Sequence, residues 1–251
     1  MKSEGFTCQA LPFESIHNLR DLGGLRAADG RRVRAGRLFR SANPAGVNAA
    51  EMARLRELGL DVVVDFRSSD EKSAAESSFA AAFNWQALPV LEGSMGLKEL
   101  LPLLARSTPQ EVEGFMRQAY GEFPTRHREA FAAFMREAEA GRTILFHCTT
   151  GKDRTGFAAL LLLAALGVPH ETILANYLES NYWNQRLIQG YLARFAQHGV
   201  KAELALPLLE VQAGYLQASV EVIEREWGSV VRYVRQALGV DPQRLQTHYL
   251  E

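Results

Sequence analysis

The chain has 251 residues, 47% of them hydrophobic, with 28 Lys and Arg against 29 Asp and Glu for a formal net charge of -1. Length and apolar content suffice for a substantial core, so a single domain over residues 1–251 is expected. The balanced charge argues against general nucleic-acid binding, which calls for a basic excess, and the two cysteines, Cys8 and Cys148, form no disulfide framework.

The first residues, Met1, Lys2, Ser3, Glu4 and Gly5, lack the apolar core of a signal peptide, which favours a cytoplasmic setting and leaves other routes of export open. Residues 16–25 and 33–41 read as short strands joined through Asp29 and Gly30, a small hairpin that carries Arg20, Asp21 and Arg40. Asn48, with Glu51 three positions on, gives a capping-box start to a helix that has Met52, Leu55 and Leu58 on one face and ends at Gly59. Residues 61–68 read as a buried parallel strand whose C-terminal end presents Asp65 and Arg67, either as an ion pair or in a direct role. A further strand is expected over 85–90.

Between 91 and 123, Gly93, Gly96, Pro102 and Pro109 punctuate helical patches holding Leu97, Leu100, Leu101 and Leu104. This stretch reads either as a helical cover over the site or as an ordinary packed helix pair. Thr125 is expected to open a helix with Phe131, Phe134, Met135 and Ala138 at core spacing, closed by Gly141.

The apolar triplet Ile144, Leu145 and Phe146 leads into His147-Cys148-Thr149-Thr150-Gly151-Lys152-Asp153-Arg154-Thr155-Gly156, and an apolar run over 157–166 follows. The order is strand, tight loop, helix. The run is about half the ~20 residues a membrane span needs, so it reads as a buried helix and no transmembrane segment is expected. A cysteine and an arginine with five residues between them at a helix N-terminus make a cradle for a tetrahedral dianion. Backbone N–H groups of Thr149, Thr150, Gly151 and their neighbours can point inward, the helix dipole adds positive potential, and Arg154 offers a two-pronged donor. The same field favours the thiolate of Cys148, a nucleophile. A Walker-type nucleotide loop is excluded because Asp153, not Ser or Thr, follows Lys152. Beyond Gly167 the chain is almost wholly helical and reads as scaffold, a helical extension over roughly 168–251. The six histidines show no metal-ligand spacing, so no metal and no other cofactor is expected.

The loop resembles the signature of the cysteine-dependent protein tyrosine phosphatase superfamily, and its Gly-Lys-Asp-Arg-Thr-Gly form is similar to that of the bacterial tyrosine/serine phosphatases of broad specificity. The Asn18-x-Arg20-Asp21-Leu22-Gly23-Gly24, Leu38-Phe39-Arg40-Ser41 and Asp65-x-Arg67 segments extend the resemblance beyond the loop. It implies an α/β protein tyrosine phosphatase-like fold, with a central mainly parallel sheet flanked by helices and a helix-rich C-terminal part. It also implies metal-independent phosphomonoester hydrolysis through a cysteinyl-phosphate on Cys148, with Arg154 holding the phosphate. Phosphotyrosine is the first substrate class implied. Relatives with this loop also act on phosphoserine, phosphothreonine and phosphoinositides, so the expected partner is a phosphorylated protein or a phosphoinositide.

Such a reaction needs a proton for the departing oxygen and then a base for the attacking water. No aspartate occurs between residues 71 and 152, where an upstream donor would stand. Asp153, Asp65 or a glutamate remains, and Asp153 comes first because relatives carry an aspartate there. Asp65 could instead orient the loop by accepting bonds from Arg154 or the backbone. His147 is expected to orient the loop, Thr155 to donate to the Cys148 sulfur or to cap the helix, and Gly151 and Gly156 to allow close approach. Lys152 is either a second cation favouring more anionic substrates or a solvated side chain. Two rival readings are a phosphate-binding protein without turnover and a sulfurtransferase of the rhodanese type.

Overall fold

The computed structural model describes residues 7–91 and 97–251. Residues 1–5, read for a leader, and Gly93 and Gly96 lie outside the described residues. Six short strands form one sheet: β1 (Gln9–Ala10), β2 (Arg20–Asp21), β3 (Leu38–Ser41), β4 (Val62–Asp65), β5 (Trp85–Ala87) and β6 (Ile144–His147), in the spatial order β1-β2-β3-β6-β4-β5. β3, β6, β4 and β5 are parallel, and β2 and β1 continue the sheet antiparallel as a hairpin edge. The mainly parallel α/β sheet is the architecture expected.

Both faces of the sheet are covered, so the central strands are apolar on both faces up to their polar C-terminal ends, Arg40 and Ser41, Asp65, and His147. Leu38, Val62, Val64, Ile144 and Phe146 point into the larger core, while Phe39, Val63 and Leu145 point the other way, against Ile16, Leu19, Leu55 and Phe79. The smaller face is closed by α1 (Ala49–Glu57) and α2 (Ser77–Ala80). The larger face holds α3 (Leu97–Leu104), α4 (Pro109–Arg126), α5 (Arg128–Glu139), α6 (Arg154–Ala165), α7 (His170–Trp183), α8 (Gln185–Gln197), α9 (Ala202–Leu209), α10 (Ala213–Trp227), α11 (Val230–Gln236) and α12 (Pro242–Tyr249). α6 is central: every residue from Arg154 to Ala165 except Ala164 is buried, because sheet and outer helices enclose it on all sides. Each leucine buried there contributes about 1.5–3 kcal/mol. Among the described residues, no helix is long and apolar enough to cross a membrane.

Five local expectations change. The strands read over 16–25 and 33–41 keep only Arg20–Asp21 and Leu38–Ser41. Asn48 caps α1 by accepting from the Glu51 N–H at 2.9 Å, but the Glu51 carboxylate does not return to Asn48; it accepts from the N–H groups of Glu14 at 2.6 Å and Ser15 at 3.2 Å, tethering the segment before β2. The strand read over 61–68 stops at Asp65, whose carboxylate accepts from the N–H of Arg67 at 2.9 Å and bends the chain out of the sheet. The strand read over 85–90 keeps only Trp85–Ala87, although the N–H groups of Leu88 and Val90 still reach the carbonyls of Asp65 and Phe66. Thr125 opens no helix. The stronger start signal stands upstream, where Thr108 and Glu111 form a capping box around Pro109, so α4 runs on to Arg126 and the Thr125 hydroxyl bonds back to the Glu122 carbonyl.

Candidate active site

Parallel pairing aligns three strand ends: Ser41 of β3, His147 of β6 and Asp65 of β4 lie side by side in register. Open α/β sheets bind ligands outside such carboxyl ends. The loop after His147 is held there from behind. The Cys148 carbonyl takes a bond from His147 Nδ1 at 3.1 Å, the Thr149 carbonyl from the Asn43 N–H at 3.1 Å, and the Thr150 carbonyl from Asn184 Nδ2 at 2.9 Å and Asn18 Nδ2 at 3.2 Å. The Gly151 carbonyl takes Asn18 Nδ2 and Arg40 Nη2, both at 2.9 Å. With four successive carbonyls drawn outward, the peptide planes turn their N–H groups to the other side. Among the described residues, the N–H groups of residues 149–153 donate to no protein acceptor. Such a row of unused donors at the start of α6 has the chemistry to receive an anion.

Gly151 sits at φ +66°, and a Cβ there would come within 2.3 Å of the Ser41 backbone; one on Gly156 would lie 2.8 Å from the Tyr177 ring. Both glycines are therefore fixed by close packing, one against β3 and one against α7. Cys148, which follows directly on β6, is 1% exposed.

Arg154 is held end-on by Glu71: Nη1 to Oε2 at 2.6 Å and Nη2 to Oε1 at 2.7 Å. Nη1 also reaches the carbonyls of Phe66 at 3.2 Å and Val90 at 3.3 Å, and Nε enters none of these bonds. Glu71 in turn accepts from the Thr149 hydroxyl at 2.6 Å and the Ser68 N–H at 3.0 Å. Burial alone would raise the Glu71 carboxyl, but the bonds and charge of Arg154 outweigh it and hold it at about 2. Lys152 is buried, not solvated, with Nζ 2.8 Å from Asp153 Oδ1, which also accepts from the Tyr120 hydroxyl at 2.8 Å. Thr149, Thr150, Lys152, Asp153 and Arg154 floor a cavity of about 560 Å³ whose walls are largely apolar, among them Phe115 and Met116 of α4 and Tyr191 and Phe195 of α8. That size suits a small organic group.

Residues 11–251 match the model of the tyrosine phosphatase family. The chain belongs to that family. A Cupriavidus necator protein that bears the name of a tyrosine-protein phosphatase is 59% identical over 240 residues, covering 96% of this chain and 88% of that protein. The triple specificity protein phosphatase PtpB of Mycobacterium tuberculosis is 30% identical over 257 residues, covering 88% of this chain and 91% of its own. The crystal structure of TpbA from P. aeruginosa aligns with 86% of this chain and 98% of its own at 20% identity, with a TM-score of 0.39. This tyrosine phosphatase is a phosphoric monoester hydrolase, and the sulfur-transfer reading of the loop has no support.

The remaining residues singled out from the sequence divide by position. Asp65 is wholly buried and tied to Arg67, with Nε and Nη2 each 3.0 Å from its two oxygens, and to Lys72 at 3.4 Å; it makes no bond to Arg154. Despite burial, His147, Arg67 and the bonds from Arg67 keep its carboxyl below the ordinary range. His147 is buried against Trp85, and because a carbonyl only accepts, its Nδ1 carries the proton. Desolvation pushes His147 down to about 4 against the attraction of Asp65, so it stays neutral at pH 7. The Thr155 hydroxyl is buried and bonds neither to the Cys148 sulfur nor to a helix N–H. Arg20 lies behind Arg40: it donates to the Asn176 carbonyl at 2.8 Å and to Glu179 at 3.0 Å, and both arginines reach the Ser180 hydroxyl. Asp21 closes the hairpin turn by accepting from the N–H groups of Gly23 and Gly36, away from the loop.

Four residues at the site escaped the sequence reading: Glu71, Asn184, Tyr120 and Tyr177. Glu71 had a signal, as the third residue after Ser68 in an S-x-x-E pattern. The two tyrosines are buried core positions of α4 and α7. Within the 91–123 stretch, α4 packs on α9 and α10, and its residues Phe115, Met116, Ala119, Tyr120 and Phe123 wall the cavity.

Proposed function

We propose that Cys148 attacks phosphorus as a thiolate, forming an S–P bond as the ester P–O bond breaks, while Asp153 gives its proton to the departing oxygen. Water then attacks the cysteinyl-phosphate, Asp153 takes the proton back, and inorganic phosphate leaves with the thiolate restored. The loop N–H groups and the Nε edge of Arg154 hold the equatorial oxygens, whose charge they meet more strongly in the transition state than in the bound ester. The observation that carries this reading is the loop itself, with four carbonyls bonded outward above a buried cysteine. Asp65 is wholly buried and does not line the cavity, whereas Asp153 stands on its floor, which favours Asp153. The family match over 11–251 supports one phosphatase domain including the helical part.

Phosphotyrosine is the preferred substrate class, because an apolar-walled cavity of this volume receives an aromatic ring. Phosphoserine, phosphothreonine and phosphoinositides form the wider range, supported by the buried Lys152 beside the cradle and by the relative named for triple specificity. Hydrolysis of a phosphotyrosine peptide, a phosphoserine peptide and soluble phosphoinositides, with chelator present throughout, tests both parts. The expected result is the highest kcat/KM on the phosphotyrosine peptide, lower turnover of the others, and none by Cys148→Ser. Turnover by Cys148→Ser would reject the nucleophile, and a preference for phosphoserine would reject the substrate order.

A further inference from the structure

We infer that Tyr120 and Tyr177 are positioning residues for Asp153, forming a one-way hydroxyl chain that fixes which carboxyl oxygen exchanges the proton with the leaving group. The inference rests on the reading of Asp153 as acid and base.

Tyr120 Oη lies 2.8 Å from Asp153 Oδ1, and Tyr177 Oη lies 2.7 Å from Tyr120 Oη. An ionised carboxylate only accepts, so Tyr120 must donate to it. A phenol has a single proton, so Tyr120 must then accept from Tyr177. The chain therefore has one direction, from Tyr177 on α7 through Tyr120 on α4 to Asp153 in the loop. Both rings are fully buried, and desolvation raises both phenols well above 10, so each keeps its proton across the working range. Tyr120 is fixed in place besides: its carbonyl accepts from the Ser219 hydroxyl at 2.6 Å, and its ring packs against Phe123 and Tyr215.

The consequence falls on the two oxygens of Asp153. Oδ1 is engaged by Tyr120 and Lys152, whereas Oδ2 has Lys152 alone, at 2.8 Å. The transferable proton sits on Oδ2. Two helices far apart in sequence thus orient the acid, where a mobile upstream loop would carry it in other arrangements.

The test is kcat/KM for an aryl phosphate with a good leaving group and an alkyl phosphate with a poor one, on wild type, Tyr120→Phe, Tyr177→Phe, Asp153→Asn and the Tyr120→Phe/Asp153→Asn double variant. General acid catalysis contributes about 10²- to 10⁴-fold. Tyr120→Phe is expected to slow the alkyl ester roughly tenfold, a part of that effect, and the aryl ester less than about twofold. Tyr177→Phe should act in the same sense but by a smaller factor, since Tyr120 can still donate. The double variant should be no slower than Asp153→Asn alone, and the inhibition constant of inorganic phosphate should stay unchanged in both tyrosine variants. Equal slowing of the two esters by both tyrosine variants, or additive losses in the double variant, would overturn the inference. If Asp153→Asn itself slows both esters equally, the acid–base reading has failed first, and that result is separable from the tyrosine results.

Discussion

Two arginine–carboxylate pairs stand near the same end of the sheet, and they differ in which edge of the guanidinium is used. Arg67 gives Nε and Nη2 to Asp65 at 3.0 Å each, and Nη2 and Nη1 to Glu76 at 2.7 and 3.3 Å, so all its nitrogens are engaged by carboxylates. Arg154 meets Glu71 end-on through Nη1 and Nη2 only, keeps Nε out of the pair, and lines the cavity. Both pairs are buried, and burial of an ion pair is by itself weak evidence for any role. The unused edge is what distinguishes them: one arginine is closed into the scaffold, and the other is held still with its Nε out of the pair, as the proposed phosphate contact requires.

The widest separation should come from replacing each arginine. Arg154→Lys keeps the charge but loses the fork, and kcat/KM is expected to fall by roughly 10²- to 10³-fold with a smaller loss of stability than removing the charge would bring. Arg67→Met should do the opposite, lowering stability by about 3–5 kcal/mol because Asp65 is left buried without its main partner. Its kcat per folded molecule should stay within about threefold of wild type, since Arg67 makes none of the cradle's bonds. Denaturant titrations beside steady-state kinetics check both, and matched losses in the two variants would erase the distinction.

Acid should reach the two regions in sequence. In the unfolded chain Glu71 takes its proton near 4.5, but in the folded protein only near 2, so between those values the unfolded state binds more protons and stability falls as pH falls. His147 behaves likewise higher up: its ordinary 6.5 is depressed to about 4, so stability is lost as pH drops from 6.5 towards 4. Melting temperature followed against pH should therefore show an upper limb that Glu71→Gln leaves alone and a lower limb, between 4.5 and 2, that Glu71→Gln flattens. A lower limb unchanged by Glu71→Gln would mean that the end-on pair contributes little to the fold. The smallest effect is expected at the back of the loop. Asn184→Ala removes one of two donors to the Thr150 carbonyl. At about 1 kcal/mol for one hydrogen bond, the inhibition constant of phosphate should rise roughly fivefold.

The loop and its flanking strand and helix were legible because their signals are local: an apolar triplet, two glycines and a buried apolar run meet within about two dozen residues. The hairpin that brings Asn18 and Arg40 behind the loop was legible for the same reason, through Asp29 and Gly30. What stayed hidden depends on contacts across long stretches of chain. Glu71 is 83 residues from Arg154, and nothing near it in sequence says that a short turn after β4 will deliver it there. Asp65 and Arg67 were open to two readings, an ion pair or a direct role, and their i, i+2 spacing lets them pair with each other. Tyr120 and Tyr177 occupy buried helical positions that any large apolar residue could fill, so their hydroxyls announce nothing until the helices meet. Strand faces were unreadable because both are covered, which removes the alternation that would have marked them.

The central claim is that Cys148 carries the phosphoryl group, and the most direct measurement is a millisecond acid quench of wild-type enzyme turning over an aryl phosphate, followed by peptide mapping. The account predicts phosphate on the Cys148 peptide, absent in Cys148→Ser, and formed and consumed at rates that reproduce steady-state turnover. An active enzyme that releases phosphate with no phosphate ever on Cys148, or with it on another residue, would contradict the account.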